Sequence, residues 1–195
     1  MSSIRITSPG GGGGVASMYI VQDIPISWAL EGHAGSPPML TTLDYSPGRI
    51  AYRDFTGAFN TQVIIPWLTP YGLDDTVLPV FAVDFFITNA GGIAAGATLK
   101  FNMIGSCLTD GDLLDETQTG SVTVTWTCPV GGLAQYKRSC TAWSGNIAIT
   151  GFSAAATSVG SLIDFTLTRD TTDTYANAIG VTFLKLKYKL TPQSA

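Results

Sequence analysis

An all-β fold is what this sequence predicts, and three observations predict it. Residues 161–190 hold two alternating runs, Ser161-Leu-Ile-Asp-Phe-Thr-Leu-Thr-Arg169 and Ile179-Gly-Val-Thr-Phe-Leu-Lys-Leu-Lys-Tyr-Lys-Leu190, joined by an Asp/Thr turn. Acidic residues are twelve Asp against two Glu, and Asp belongs to turns whereas Glu belongs to helices. From residue 60 onward, short apolar-alternating segments are separated by Gly, Asn, Asp, Pro and Ser clusters such as Asn89-Ala-Gly-Gly92 and Pro129-Val-Gly-Gly132. Many short strands between turn signals form an antiparallel sandwich or a barrel.

Taken in order, the chain opens with a Gly-rich N-terminal arm over residues 1–17. Gly11 to Gly14 resist ordering without a partner, so the arm is either flexible or becomes ordered on a neighbouring subunit, where Ile4, Ile6, Val15 and Tyr19 give it something to bury. The glycine run lacks the Gly-Lys-Ser/Thr of a phosphate-binding loop; Val15-Ala-Ser-Met18 follows instead. Residues 18–195 read as a single β-sandwich domain, long enough to bury a core without disulfides or metal. Within it, residues 18–60 are loop-rich, because Pro25, Pro37, Pro38 and Pro47 interrupt any long element. Strands are predicted at Thr61–Pro66, Val77–Thr88, Thr98–Ser106, Ser121–Cys128, Ile147–Phe152, Ser161–Arg169 and Ile179–Leu190, with one short helical candidate at Leu133–Lys137.

Phase along the strands carries further detail. Val122, Val124, Trp126 and Cys128 share one face, opposite Thr123, Thr125 and Thr127, a polar but uncharged surface that suits a lateral contact or a carbohydrate. The last strand changes phase, with Ile179, Val181 and Phe183 on odd positions and Leu184, Leu186, Tyr188 and Leu190 on even ones. That slip implies a β-bulge, or a strand passing between two sheets, near Phe183-Leu184. Beyond it Lys185, Lys187 and Lys189 line one face, either solvated or docking an acidic partner.

Charge excludes several functions. Charged residues are 12% of the chain and the net charge is −4, which gives no basic surface for nucleic acid. Before Lys137 there are four basic and eleven acidic residues, and from Lys137 onward six and three. So few charges among so many small residues suit a protein packed against neighbours, or a bland extracellular surface. Cys107, Cys128 and Cys140 show no CxxC spacing, and His33 is the sole histidine, so neither a zinc site nor a Ser–His or Cys–His catalytic pair is indicated. The thiols are read as buried and free, which fits a reducing cytoplasm; a Cys128–Cys140 bridge is the alternative. Asp110-Gly-Asp112-Leu-Leu-Asp115-Glu116 clusters carboxylates but lacks EF-hand spacing, so it reads as a solvated turn. No catalytic, cofactor or metal residue is assigned, and the chain is read as not an enzyme. It shows no signal peptide and no membrane-length apolar stretch, and so reads as made in the cytoplasm, with no membrane partner.

One set of residues carries a resemblance. Phe165-x-Leu167-x-Arg169, Asp173-Thr-Tyr175, Ala178-x-Gly180-Val181 and Tyr188, with the earlier Ile65-Pro66-Trp67 and Phe81–Ile87, resemble the C-terminal β-domain of many virion structural proteins of tailed bacteriophages. Over residues 60–190 the resemblance implies a jelly-roll sandwich, usually a homotrimer, serving as a capsid decoration, fibre or appendage protein. It implies partners that are copies of the chain and the major capsid or another virion protein, and a location in the virion after synthesis in the host cytoplasm. The alternative function is carbohydrate-binding receptor recognition, since jelly-roll sandwiches often stack sugars on exposed aromatics. Partner or glycan contacts are accordingly placed at Tyr136, Trp143, Tyr175, Lys185, Lys187 and Lys189, with Tyr136-Lys-Arg-Ser-Cys-Thr-Ala-Trp143 as the leading segment.

Overall fold

A computed structural model describes residues 4–7, 18–31, 38–45, 48–57, 61–108, 120–152 and 161–191. Its strands are β1 (Ile4–Thr7), β2 (Met18–Pro25), β3 (Leu30–Glu31), β4 (Met39–Tyr45), β5 (Gly48–Phe55), β6 (Gln62–Leu68) and β7 (Val80–Ile87). They continue with β8 (Thr98–Leu108), β9 (Val122–Thr127), β10 (Arg138–Cys140), β11 (Ile149–Thr150), β12 (Leu162–Arg169) and β13 (Ile179–Leu190). Among the described residues, a three-residue 3-10 turn at Ile26–Trp28 is the one helical piece. The predicted helix at Leu133–Lys137 is instead a pair of turns around an isolated bridge.

Two mostly antiparallel sheets pack face to face. In the first, β13 is central: β7 pairs along one edge and carries β10, while the other edge meets β5 at Ile179–Val181 and β2 at Phe183–Leu190. In the second, β12 lies between β6 and β8, β3 extends β6, and β8 carries β9 and, in parallel, β11. Eight of these strands therefore follow the orders β5-β13-β7-β10 and β6-β12-β8-β9.

Period-2 patterning explains the layering. Ile163, Phe165 and Leu167 of β12 are fully buried against Phe101 and Met103 of β8 and Val63 and Ile65 of β6. Phe55, Phe81 and Phe85 fill the core from the facing sheet, with Phe55 and Phe85 both edge-on or tilted against Phe101. The phase slip in β13 is a bulge. Val181 pairs Phe85 and Phe183 pairs Asp84, so Thr182 is the extra residue, and its Oγ1 donates to the Asp84 carbonyl (3.1 Å). It sits where β13 hands over from β5 to β2, so one inserted residue serves two partners.

Residues 18–60, expected to be loop-rich, contain β2, β3 and the β4–β5 hairpin. The described prolines fall outside or at the ends of these strands: Pro25 closes β2 and Pro38 precedes β4, while Pro37 and Pro47 lie outside the described residues. Four residues of the arm also depart from expectation. Ile4–Thr7 is an antiparallel strand on Gln22–Tyr19 of the same chain, so this part of the arm finds its partner within its own sheet.

The connections at one end interlock. Thr88 Oγ1 donates to the Ala178 carbonyl, Gln135 Nε2 to the Thr88 carbonyl and the Tyr175 hydroxyl to the Gly92 carbonyl. Two of these connections are alike in sequence, Gly91-Gly-Ile-Ala and Gly131-Gly-Leu-Ala, and they pair through reciprocal bonds between Ile93 and Leu133 (2.8 and 2.9 Å). Gly92 and Gly132 both have φ near +70° (68° and 74°), and a Cβ on either would lie 2.5 or 2.7 Å from the opposing carbonyl.

Candidate functional site

The residues that carried the resemblance lie mostly inside the molecule. Arg169, fully buried, ends β12 and spends all five guanidinium donors at the corner leading to β13. Nε and Nη2 reach Asp173 (2.8 and 3.3 Å), Nη1 reaches the Phe55 and Asn177 carbonyls (2.8 and 2.7 Å), and Nη2 also reaches the Tyr175 carbonyl. Asp173 is equally buried, and the Arg169 cation sits 5.8 Å from the Tyr175 ring centroid. Gly57 completes the corner, because a Cβ there would meet the Tyr175 and Ala176 carbonyls and Arg169 Nη2 at 2.7–2.8 Å. Tyr175, expected at the surface, is therefore a buried corner residue. Its hydroxyl fastens the neighbouring loop, and its ring offers no stacking face.

The outer face of the first sheet carries five of the expected contact residues, and three of them, Trp143, Lys185 and Lys187, lie close together. Register places Lys185 of β13 between Asp23 of β2 and Ala82 of β7, and Lys187 one pair further along. The segment after β10 runs on beside β7 through bonds from the Thr141, Ser144 and Ile147 amides to the carbonyls of Val83, Phe81 and Pro79. This carries Trp143 over the sheet, where Lys187 Nζ lies 4.9 Å from the indole centroid. Val21, Asp23, Ala82, Cys140, Thr141, Trp143 and Lys185 enclose a groove of about 380 Å³.

Charges beside the groove are paired in series. Arg138 forks onto the buried Asp84 carboxylate, donating from Nε (2.6 Å) and Nη2, and that hydrogen bond holds its guanidinium above its ordinary pKa. Lys185 Nζ bridges Asp23 (3.0 Å) and Asp84 (3.7 Å). Lys189 pairs instead with Asp74 (2.6 Å), which raises the ammonium pKa and holds the carboxyl well below the usual range. The lysine row expected to be solvated or to await an acidic partner is thus engaged within the chain, Lys185 by Asp23 and Asp84, Lys187 by an indole and Lys189 by Asp74. Tyr136 lies further along the same face, exposed, with φ +60° and its ring 6.5 Å from Phe86.

Cysteine placement corrects one expectation. None of the three thiols is in a disulfide: Cys107 and Cys128 are buried, whereas Cys140 is exposed at the rim of the groove, its thiol pushed up by partial burial and then by Asp84. Sequence reasoning found the segment from Tyr136 to Trp143 and the lysines but missed Asp23, Asp84 and Ala82 as their neighbours. Those contacts depend on register between strands up to 162 residues apart, which no local pattern announces. His33 and the Asp110–Glu116 cluster lie outside the described residues. Among the described residues, no three His, Cys, Asp or Glu side chains gather as a metal site.

The second sheet presents a different surface. Asn102 Nδ2 donates to Asp170 (3.0 Å) and Thr123 Oγ1 donates to Asn102 (2.6 Å), with Thr166 and Thr168 beside them in a shallow polar depression. Backbone and side-chain donors from Thr172 and Asn102 keep the Asp170 carboxyl below its usual range. Along β6 the polarity reverses. Val63, Ile65 and Trp67 point into the core, while Pro66 and Leu68 on the other face are exposed and Ile64 is half-buried. Exposed Leu30 pairs with Ile64, and exposed Leu162 with Leu68, so the register makes one apolar stripe. Arg53 draws the Ala29 and Pro38 carbonyls onto one guanidinium (2.7 and 3.1 Å), bringing exposed Trp28 and Leu30 beside exposed Met39 and Leu40.

Compared with known proteins, the chain matches no protein-family model and no curated protein.

Proposed function

We propose that this chain is a structural protein of a phage particle that associates with copies of itself and decorates or cements the capsid, or forms part of a fibre or collar. The observation that carries self-association is β6. A strand apolar on both faces belongs inside an assembly covered from both sides, yet its outer face here is open, with Leu68 at 68% exposure. The stripe runs into β3 and on to Trp28, Met39 and Leu40, beside β3 and β4, which end their sheets among the described residues. On the β6–β12 part of this face the register places one carboxylate, Asp164 beside Pro66, which burial already pushes toward its neutral form.

The phage assignment draws on the resemblance, whose residues Phe165, Leu167, Arg169, Asp173 and Tyr175 are buried at the core and the β12–β13 corner. A jelly-roll reading is supported by the strand orders β5-β13-β7-β10 and β6-β12-β8-β9, two four-stranded sets between which the chain crosses at every step except the β8–β9 hairpin. The test is co-sedimentation of the full chain with empty phage particles, beside the variant Leu68→Asp. Saturable binding by the wild type that the variant loses supports the reading. A wild-type chain that stays in the supernatant with every particle tried overturns it.

A further inference from the structure

We infer that the groove beside Trp143 binds a neutral saccharide unit, a role separate from assembly and independent of it. Four features of the groove point to that chemistry. It contains an aromatic wall: Trp143 is 39% exposed, and Lys187, which does not line the groove, steadies the indole through its ammonium. An apolar sugar-ring face stacks on such a wall. The floor is Ala82, the smallest side chain available there, flanked by Val21, so the space between wall and charges stays open. At about 380 Å³ the groove falls at the small end of ligand sites, the size of one or two sugar rings.

The charges decide between ligand classes. Asp23, Lys185, Asp84 and Arg138 form an alternating chain in which each charge already faces an opposite one. An anionic or cationic ligand would have to displace one of these pairs and strand its partner beside a mostly buried carboxylate. Hydroxyl groups need no such displacement. An ammonium donates three hydrogen bonds, so Lys185, facing Asp23 and Asp84, retains a donor for a sugar hydroxyl while staying paired. Charged groups that are paired, placed next to an indole, bind a neutral polyol better than an ion. The Tyr136 ring, packed near Phe86 away from the groove-lining residues, is not part of this site.

Cys140 at the rim gives a reporter that leaves the chain unmutated, since the other two thiols are buried. The experiment titrates full-length protein with a panel of neutral oligosaccharides: maltotriose, cellotriose, triacetylchitotriose, raffinose and galactotriose. Binding is read by calorimetry and by the rate of Cys140 alkylation with iodoacetamide, and the panel is repeated with the same sugars as polymers to separate free from surface-borne glycan. The expected result is saturable binding of at least one sugar that slows Cys140 alkylation. Trp143→Ala should weaken it by roughly tenfold or more, Trp143→Phe should restore much of it, and prior alkylation of Cys140 in the wild type should abolish it. The alkylation arm decides the matter should Trp143→Ala fail to fold. No binding across the panel, binding that alkylated Cys140 leaves unchanged, or binding indifferent to a folded Trp143→Ala would each overturn the inference.

Discussion

Arg169→Met should be among the most damaging single substitutions in this protein, and the corner geometry says by how much. Five donors disappear at once, leaving the Asp173 carboxylate, 1% exposed, without its counter-ion and three carbonyls without partners. Breaking a buried ion pair from one side costs about 3–5 kcal/mol, against a total stability of roughly 5–15 kcal/mol for a domain. A loss of about 4 kcal/mol in a domain of this size lowers Tm by roughly 8–16 °C. Urea unfolding followed by tryptophan fluorescence and far-ultraviolet circular dichroism measures the loss. A second substitution isolates its cause. Adding Asp173→Asn removes the stranded charge, so the double variant should recover on the order of 1–3 kcal/mol relative to the sum of the single ones. Arg169→Lys should rescue little, because an ammonium cannot serve a carboxylate and three carbonyls in one plane. A loss below about 1 kcal/mol in Arg169→Met, or full rescue by lysine, would refute the view that the five guanidinium bonds at this corner matter to stability.

Two aspartates should show opposite pH signatures. Burial raises the Asp54 carboxyl above its ordinary value, only partly offset by the Arg169 charge, and its Oδ1 has no hydrogen-bond partner. A raised folded-state pKa means that stability falls as pH climbs through the window above about 3.8, so Asp54→Asn should raise Tm at neutral pH and leave it unchanged below that window. Asp74 is lowered by Lys189 and Thr76, so its contribution is present above about 3.8 and is lost as pH falls through the depressed folded value; Asp74→Asn should therefore lower Tm at neutral pH only. Melting curves of both variants across pH 2 to 8 check the signs. For the thiols, Ellman's reagent should count one fast-reacting cysteine in the folded protein, Cys140, and all three in urea. The folded-state rate should keep rising at pH values above the ordinary thiol range, since burial raises the Cys140 pKa.

What the sequence made legible follows from which interactions are local. Alternation is local, so the longer strands from residue 61 onward are readable and β13 has the expected bounds, Ile179–Leu190, whereas the three-residue β10 (Arg138–Cys140) is too short to show a period. The bulge was readable as well, because an inserted residue shifts the apolar phase from Val181 to Leu184 wherever the strand lies. The β4–β5 hairpin was missed although Ser46-Pro-Gly48 is a turn signal between Met39-Leu-Thr-Thr-Leu-Asp-Tyr45 and Arg49-Ile-Ala-Tyr-Arg-Asp-Phe55. Read locally, Pro47 breaks strands; in sequence it falls between β4 and β5.

The sites divide in the same way. Trp143 and the lysine row were visible as types, but their meaning came from partners far away in sequence: Asp23 across β2–β13, Asp74 ahead of β7, and the indole itself. The repeated Gly-Gly-aliphatic-Ala of the two interlocked loops was in plain sight, forty positions apart, and pointed to paired turns where a helix had been expected. The outer apolar stripe was also legible in Val63-Ile-Ile-Pro-Trp-Leu68, a run too apolar for a strand with one face in water. Only the register of β3 and β12 against β6 shows that the stripe continues sideways through Leu30 and Leu162.

The most direct test of self-association is the solution mass of the full chain by sedimentation velocity, beside Leu68→Asp and the double variant Leu30→Lys/Leu68→Asp. Both leucines are exposed in the single chain, so the substitutions should cost the isolated fold only about 0.5 kcal/mol each, and far-ultraviolet circular dichroism should be unchanged. The account predicts a wild-type mass that is an integral multiple, two or more, of 20.5 kDa, and variants that fall to 20.5 kDa. A wild-type chain that sediments as a 20.5 kDa species at every concentration, or variants that keep the wild-type mass, would contradict it.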